Sequence, residues 1–335
     1  MKIAINGFGR IGRTVFKAVL DKDIKADLVA INDLSDMETL AYLLKYDSAY
    51  GRYNKKVTYT KDSLVVDGKK YKVLSEKDPS ELPWGKMGVD LVLECTGLFR
   101  TGQEAGKHLE AGADKVIISA PAKSDDIRTV VLGVNENQIT KNDDIISMAS
   151  CTTNCLAPVT DVIKKKFGIK KAIMTTVHSY TSTQNIIDGP HKDARRGRTA
   201  GVNIIPTSTG AAQATTKILP SLEGKFDGMA IRVPTPVGSL CDIVFVTEKK
   251  VTEKKVNQAL KRASGSGRLK GVMKATEDPI VLADIVGDPA SSIVDLSLTK
   301  VMDGDLVKII SWYDNEWGYS NRMADMVEYI QKRFY

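Results

Sequence analysis

Two cysteines four positions apart, Cys151 and Cys155, stand in SMASCTTNCLAP (147–158), after an apolar stretch that reads as a strand and before one that reads as a helix. Thiols so placed serve as metal ligands, disulfide halves, core filler or a nucleophile. Zinc needs further ligands, and the three histidines, His108, His178 and His191, show no ligand pairing, so no metal is expected. Four cysteines in 335 residues do not make a disulfide framework. Cys95 in LVLECTG and Cys241 in SLCDIVFV read as buried strand residues. A thiol at a helix N-terminus gains from the helix dipole, which favours thiolate over thiol. That describes Cys151, whereas Cys155 falls one turn inside the helix. Pro158 is expected to kink or interrupt the same helix. His178 closes the apolar run TTVH at its polar end, a place for either a satisfied structural group or an acid–base partner. His108 and His191 read as structural or exposed.

The elements that must position these groups begin at the first residues. KIAIN (2–6) reads as a short strand running into GFGRIG, with Gly7, Gly9 and Gly12 in GxGxxG register. Ile11, Val15 and Val19 then recur at helical spacing. A second strand, DLVAIND (27–33), ends in an acid, Asp33, 21 positions beyond Gly12. Each part of this dinucleotide fingerprint has a physical task. Gly7 permits the tight turn, Gly9 lets a pyrophosphate approach the backbone, and Gly12 allows close helix–strand packing. The helix N-terminus offers free N–H groups to the phosphates. Asp33 can accept from both ribose hydroxyls and repels a 2′-phosphate, so NAD is favoured over NADP; alone, it could equally cap a helix.

Strand-like runs at 90–97, 115–121, 128–134 and 144–150, with a helical stretch at 102–112, predict a doubly wound, mainly parallel sheet. Residues 53–76 alternate over short runs with Asp67-Gly68 between them, an antiparallel excursion with a hairpin turn. After the cysteines, KKAIMTTVHSYT (170–181) precedes some 27 residues without periodicity, 182 to 208. So long a loop in a compact protein is usually functional. A helix at 209–220, strands at 226–235 and 239–248, a helix near 252–263, and strands at 291–298 and 306–314 follow. Strands with few intervening helices predict an α+β domain with a mainly antiparallel sheet. The chain thus divides into a first domain over 1–150, completed by a helix at 316–335, and a catalytic domain over 151–315. The formal net charge of +7 favours anions. The lysines are dispersed and lack interleaved aromatics, so a solvated face is expected and no specific nucleic acid. MKIAINGFG is too short of apolar residues for a signal segment, and no apolar run is long enough to span a bilayer. A cytoplasmic protein without membrane attachment is expected.

INGFGRIGR (5–13), SCTTNCLAP (150–158), HSYT (178–181), STGAA (208–212), RVPTP (232–236) and WYDNEWGYSNR (312–322) together resemble phosphorylating glyceraldehyde-3-phosphate dehydrogenases over essentially the whole chain. The resemblance implies a Rossmann-type NAD-binding domain, Cys151 as nucleophile and His178 as its acid–base partner, with an imidazolium holding the thiolate. It implies a D-glyceraldehyde 3-phosphate substrate, inorganic phosphate as co-substrate, a 1,3-bisphosphoglycerate product and a homotetramer. For the cofactor it implies Arg10 and Ile11 at the pyrophosphate turn beside Gly7, Gly9 and Gly12. Asp33 falls at the ribose, with Lys77 and Ser119 nearby and Asn315 on the nicotinamide carboxamide. For the substrate and phosphate it implies Ser150, Thr152, Thr181, Arg195, Thr209, Gly210 and Arg232. Their hydroxyls, guanidinium forks and backbone N–H groups suit two oxyanions. Arg196 and Arg198 read as a solvated or subunit-contact loop. Three other readings stand beside this one. An erythrose-4-phosphate dehydrogenase would share the Cys/His pair, a basic anion-binding protein would need no catalysis, and a thiol hydrolase would leave the glycine fingerprint without a task.

Overall fold

The computed structural model describes residues 1–335. They form two compact units, one of Met1–Val130, Asn137–Ala149 and Ser320–Tyr335, the other of Val131–Glu136 and Ser150–Tyr319.

The first unit is built on a nine-stranded sheet. Lys2–Asn6 lies at its centre, with Asp27–Asn32 on one side and Leu91–Glu94 on the other, both parallel to it. Lys115–Ile118, Ile145–Ser147 and Arg128–Thr129 extend the sheet beyond Leu91–Glu94. Lys69–Leu74 continues it on the other edge, also parallel, and Ser63–Val66 and Val57–Tyr59 complete it antiparallel. The Ser63–Leu74 hairpin turns at Asp67 (φ 49°) and Gly68 (φ 84°), the paired left-handed residues that an Asp-Gly hairpin requires. Ile3, Ala4, Ile5, Val92, Leu93, Val116 and Ile117 are buried, as expected of parallel strands covered on both faces. Chain order reverses across Lys2–Asn6, so a crevice opens at the carboxyl ends of Lys2–Asn6 and Leu91–Glu94, where doubly wound sheets take their ligands. The run at 128–134 supplies only Arg128–Thr129 to the sheet, because the chain leaves this unit at Val131.

The second unit carries a seven-stranded sheet in the order Ile205–Ser208, Phe226–Val233, Lys171–Ser179, Ser239–Val246, Leu306–Tyr313, Ser292–Met302 and Met273–Thr276. Lys171–Ser179 runs parallel to Phe226–Val233, and Met273–Thr276 parallel to Ser292–Met302; the other neighbours are antiparallel. Ser239–Val246 alternates buried with half-buried residues, the period of a sheet with one dry face. The helix Cys151–Phe167 lies against that sheet and is buried from Thr152 to Ile163. Pro158 does not interrupt it: the helix runs through to Phe167. Burial among neighbours outweighs the one backbone donor that proline lacks. Nor is 182–208 structureless to its end, since Ile205–Ser208 pairs with Phe226–Val233 as the edge strand. The terminal helix Trp317–Phe334, which belongs to the first unit from Ser320 on, buries Met323, Met326, Val327 and Ile330, spaced i, i+3, i+4 and i+7 on one face.

Candidate active site

Cys151 is the first residue of its helix, and Ser150 is the N-cap, its hydroxyl accepting the Thr153 N–H at 3.0 Å. Half-buried Cys151 thereby sits at the positive end of a 17-residue helix. Cys155, one turn on, is fully buried against Ser292 and Ser311 and is a packing residue. Cys241 is a buried strand residue. Cys95 is not: it falls one residue past its strand and lines the crevice of the first unit.

Sheet register brings the partners to Cys151. His178 lies opposite Arg232 on the parallel neighbour and opposite Ser239 on the antiparallel one. Its Nε2 stands 3.5 Å from the Cys151 Sγ. Its Nδ1 lies 2.7 Å from the Ser179 carbonyl oxygen and 2.9 Å from the Arg232 Nη1, which also donates to the Ser179 oxygen at 2.8 Å. The Tyr313 ring meets His178 edge-on at 5.9 Å, and the Tyr313 hydroxyl bonds those of Thr152 and Thr176, each at 2.8 Å. Burial dominates the titration of the pair. It pushes the Cys151 thiol up to about 11, against the pull of Arg232 and of Thr152. It lowers His178 to about 3, and Arg232 adds to that shift. Burial thus works against charge on both groups, whereas the ion pair that the resemblance implies needs both charged.

The anion-binding candidates divide. Arg232, beside His178, has a buried Nε with no hydrogen-bond partner. Thr209 and Gly210 open the helix Ala211–Ile218, where the Thr209 hydroxyl accepts the Ala211 N–H. Thr181 exchanges a hydrogen bond with Thr183, and the buried Thr152 is committed to Tyr313. Arg195 is exposed and borders an open cavity of about 560 Å³ with Asp193, Thr207 and Ser208. Arg196, which the sequence led us to set aside, is the arginine turned inward. Its Nε donates to the Thr207 hydroxyl at 2.9 Å and its Nη2 to the Ser208 carbonyl at 3.2 Å. Its charge reaches both His178 and Arg232. In RRGR the two candidates are adjacent, and only the turn held by Asp193 decides which faces in. Arg198 pairs with Asp188 on the surface, and His191 bonds Asp193 there. Asn315 is buried, and its Oδ1 accepts from Ser179, Gly238 and Ser239, so its Nδ2 is left for other partners.

The crevice of the first unit, about 360 Å³, is lined by Gly7, Gly9, Asp33, Lys77 and Cys95 among others. Gly7 has φ +89°, and a Cβ there would meet Thr96 N at 2.7 Å. A Cβ on Gly12 would lie 2.0 Å from the Gly7 oxygen, whereas one on Gly9 would meet nothing within 4 Å. Gly9 is also the N-cap of Arg10–Asp21 and brings no side chain to that end of the helix, whose positive end suits an anion. The Asp33 carboxylate is held by the N–H groups of Phe8, at 2.7 Å, and Ser35. The Arg10 guanidinium is held by Asp47 at 2.8 Å. Ser119 donates its N–H to Glu94 O, at the rim of the sheet. Open approach at Gly9, a helix N-terminus with no side-chain cap and a fixed carboxylate fit a dinucleotide. Sequence reading missed what lies beneath. Glu94, fully buried, accepts from Asn6, from the Thr96 N–H and hydroxyl, and from the Nε2 of buried His108. Trp84 donates to the His108 Nδ1, which leaves the ring proton on Nε2. His108 is thus structural.

Together these arrangements define a nicotinamide-dinucleotide oxidoreductase carrying a thiol–imidazole pair. Residues 1–102 match the glyceraldehyde 3-phosphate dehydrogenase NAD-binding domain and residues 150–315 its C-terminal domain. The chain is 54% identical over 331 residues to glyceraldehyde-3-phosphate dehydrogenase of Streptomyces coelicolor, covering 98% of each chain. It is 54% identical to glyceraldehyde-3-phosphate dehydrogenase 1 of Bacillus subtilis, covering 99% of each, and 55% identical to the Priestia megaterium enzyme, covering 98% of each. The chain belongs to the glyceraldehyde-3-phosphate dehydrogenase family. It is an NAD-dependent oxidoreductase.

Proposed function

We infer that this chain oxidises D-glyceraldehyde 3-phosphate with inorganic phosphate to 1,3-bisphosphoglycerate, the glycolytic step, with reduction of NAD. The observation that carries the reading is the 3.5 Å approach of Cys151 Sγ to His178 Nε2, at a helix N-terminus, in a chain of this family. The first unit takes the cofactor and the second the aldehyde. Gly7, Gly9 and Gly12, with the N–H groups of Arg10 and Ile11, hold the pyrophosphate; Asp33, Lys77 and Ser119 hold the adenosine side, and Asn315 the carboxamide. Bound NAD supplies the hydride acceptor that turns a hemithioacetal into a thioester.

A thiol 3.5 Å from an imidazole nitrogen fits a base-assisted attack. The Cys151 thiol gives its proton to Nε2 as sulfur bonds to the aldehyde carbon, and the imidazolium returns that proton to the carbonyl oxygen. Nε2 then takes the hydroxyl proton as the thioester forms. A phosphate oxygen attacks the thioester carbon, the C–S bond breaks, and sulfur leaves as thiolate to be reprotonated. Arg196, Thr209 and Gly210 attend the inorganic phosphate, with Thr181 and Arg232 on the substrate's own phosphate; Ser150 and Thr152 cap and brace the reacting thiol. Arg196 takes the place given to Arg195 on sequence, because it is the one directed inward. Self-association, as a homotetramer, agrees with Ile186, Ile187, Val202 and Ile204, which are 72–84% exposed within one segment. No helix is long and apolar enough to cross a membrane, and we place the enzyme in the cytoplasm.

The test follows absorbance at the NADH band with aldehyde and NAD, with and without phosphate. Phosphate-dependent NADH formation is expected, and Cys151→Ser should abolish it while NAD still binds. Near-normal turnover by that variant would refute the assignment.

A further inference from the structure

Within the second unit, the C-terminal end of the helix Cys151–Phe167 meets a second helix, Glu253–Gly265, and a groove of about 390 Å³ lies there. Helical period shapes it. Val256 and Leu260 turn one face of Glu253–Gly265 into the core and are fully buried. Lys255, Gln258, Ala259, Arg262, Ala263 and Ser266, at i, i+3, i+4, i+7, i+8 and i+11, line the groove from the other face. Lys166 and Phe167, which end the helix Cys151–Phe167, complete the lining, and no carboxylate is part of it. Other cations of these two helices have their anions, as Lys165 has Asp161 and Lys261 has Glu277. Lys166, Lys255 and Arg262 have no such pair, and neither their charged ends nor the Gln258 carboxamide is held by a hydrogen bond. Three lysines in the last turn, Lys164 to Lys166, also outweigh the negative end of that helix's dipole.

We propose that this groove binds a compact oligophosphate, a chain of two or three phosphoryl groups, at the end of the helix remote from Cys151. Charge selects the sign of the ligand and spacing selects its length. Lys255 and Arg262 stand seven residues apart, two helical turns or about 10 Å along the axis. A single phosphate meets one of them, whereas a chain of phosphates reaches both, with Lys166 from the neighbouring helix. The guanidinium fork and the two ammonium groups donate to phosphoryl oxygens, and the Gln258 amide adds a neutral donor. The Ser266 hydroxyl adds none, because it already donates to the Arg262 carbonyl oxygen at 2.9 Å. Beside the cations, Phe167, Ala259 and Ala263 are half-buried and apolar, a place for a flat organic group carried by the phosphate chain. The volume is that of a small-molecule site. A long nucleic acid fits poorly, since one aromatic side chain gives successive bases nothing to stack on. The site does not depend on the reading of Cys151 and His178 as the reacting pair.

Calorimetry on the full chain tests this, with NAD and inorganic phosphate present at saturation so that the cofactor crevice and the reaction site are filled. The probe is inorganic tripolyphosphate. It should bind at one site per chain, more weakly as salt rises, because Lys166, Lys255 and Arg262 are exposed. Lys255→Glu and Arg262→Glu should each weaken binding by about tenfold or more. Lys254→Glu makes the same change of charge on the same helix outside the groove, and should leave the affinity within about twofold of the parent. Turnover without tripolyphosphate should match the parent in all three variants, which also shows that they fold. ATP in place of tripolyphosphate distinguishes the sources of the phosphate chain. Equal affinity assigns the groove to the phosphates alone, and tighter binding that Phe167→Ser removes assigns it to a nucleotide. Absence of tripolyphosphate binding under these conditions overturns the proposal. Equal weakening by Lys254→Glu also overturns it, since the net charge of +7 and not the groove would then hold the anion.

Discussion

Burial works against charge on both His178 and Cys151, and both consequences can be measured. Burial takes His178 from 6.5 to about 3, so the folded chain resists protonating it. A lowered pKa contributes stability above 6.5 that is lost as pH falls from there toward about 3, with a slope of at most ~1.4 kcal/mol per pH unit. Chemical denaturation across that window should show the loss, and His178→Asn should flatten it. For Cys151 the sign is reversed: with the thiol raised to about 11, thiolate accumulates only as pH rises. In the ligand-free chain the iodoacetamide rate should climb about tenfold per pH unit below that value, with no step near 6.5. A plateau at neutral pH would reveal a thiolate–imidazolium pair instead. In turnover, His178→Asn should lower kcat by about 10²–10⁴-fold with a smaller change in KM, measured by steady-state kinetics.

At the scale of elements, the glycine turn separates folding from binding. Gly12→Ala would drive a Cβ to 2.0 Å from the Gly7 oxygen, so the helix must move off the strand. Loss of ~1–3 kcal/mol and of NAD binding are expected together. At Gly9 the space is open, so Gly9→Ala should change stability by no more than ~1 kcal/mol. Its methyl group would stand where the pyrophosphate approaches, and calorimetry should find NAD binding weaker by about tenfold or more, ~1.4 kcal/mol. The strand–glycine–helix–strand–acid order was readable without coordinates because each step is local. The helix through Pro158 was not, since local propensity argues for a break and only the buried surroundings overrule it. The edge strand Ile205–Ser208 was equally hidden, because its pairing with Phe226–Val233 spans some twenty residues and leaves no periodic trace.

For the whole molecule, the exposed Ile186, Ile187, Val202 and Ile204 call for a covering surface, and a further copy of the chain is the proposed one. Ile187→Glu should shift sedimentation toward smaller species while leaving the folded signal of each subunit intact; an unchanged distribution would count against that segment as an interface. The sequence by itself determined the two sheet classes, the cofactor turn and the family, because strand and helix periods, glycine register and local motifs are properties of neighbouring residues. It also marked Cys151, His178 and Arg232 as candidates. Only the tertiary structure decided that Arg196 and not Arg195 turns inward, that burial works against charge on the thiol and the imidazole, and that Arg232 and the Ser179 carbonyl both meet one ring nitrogen. Those outcomes depend on desolvation and on register between strands more than fifty positions apart, as His178 and Arg232 are, and no linear spacing encodes either.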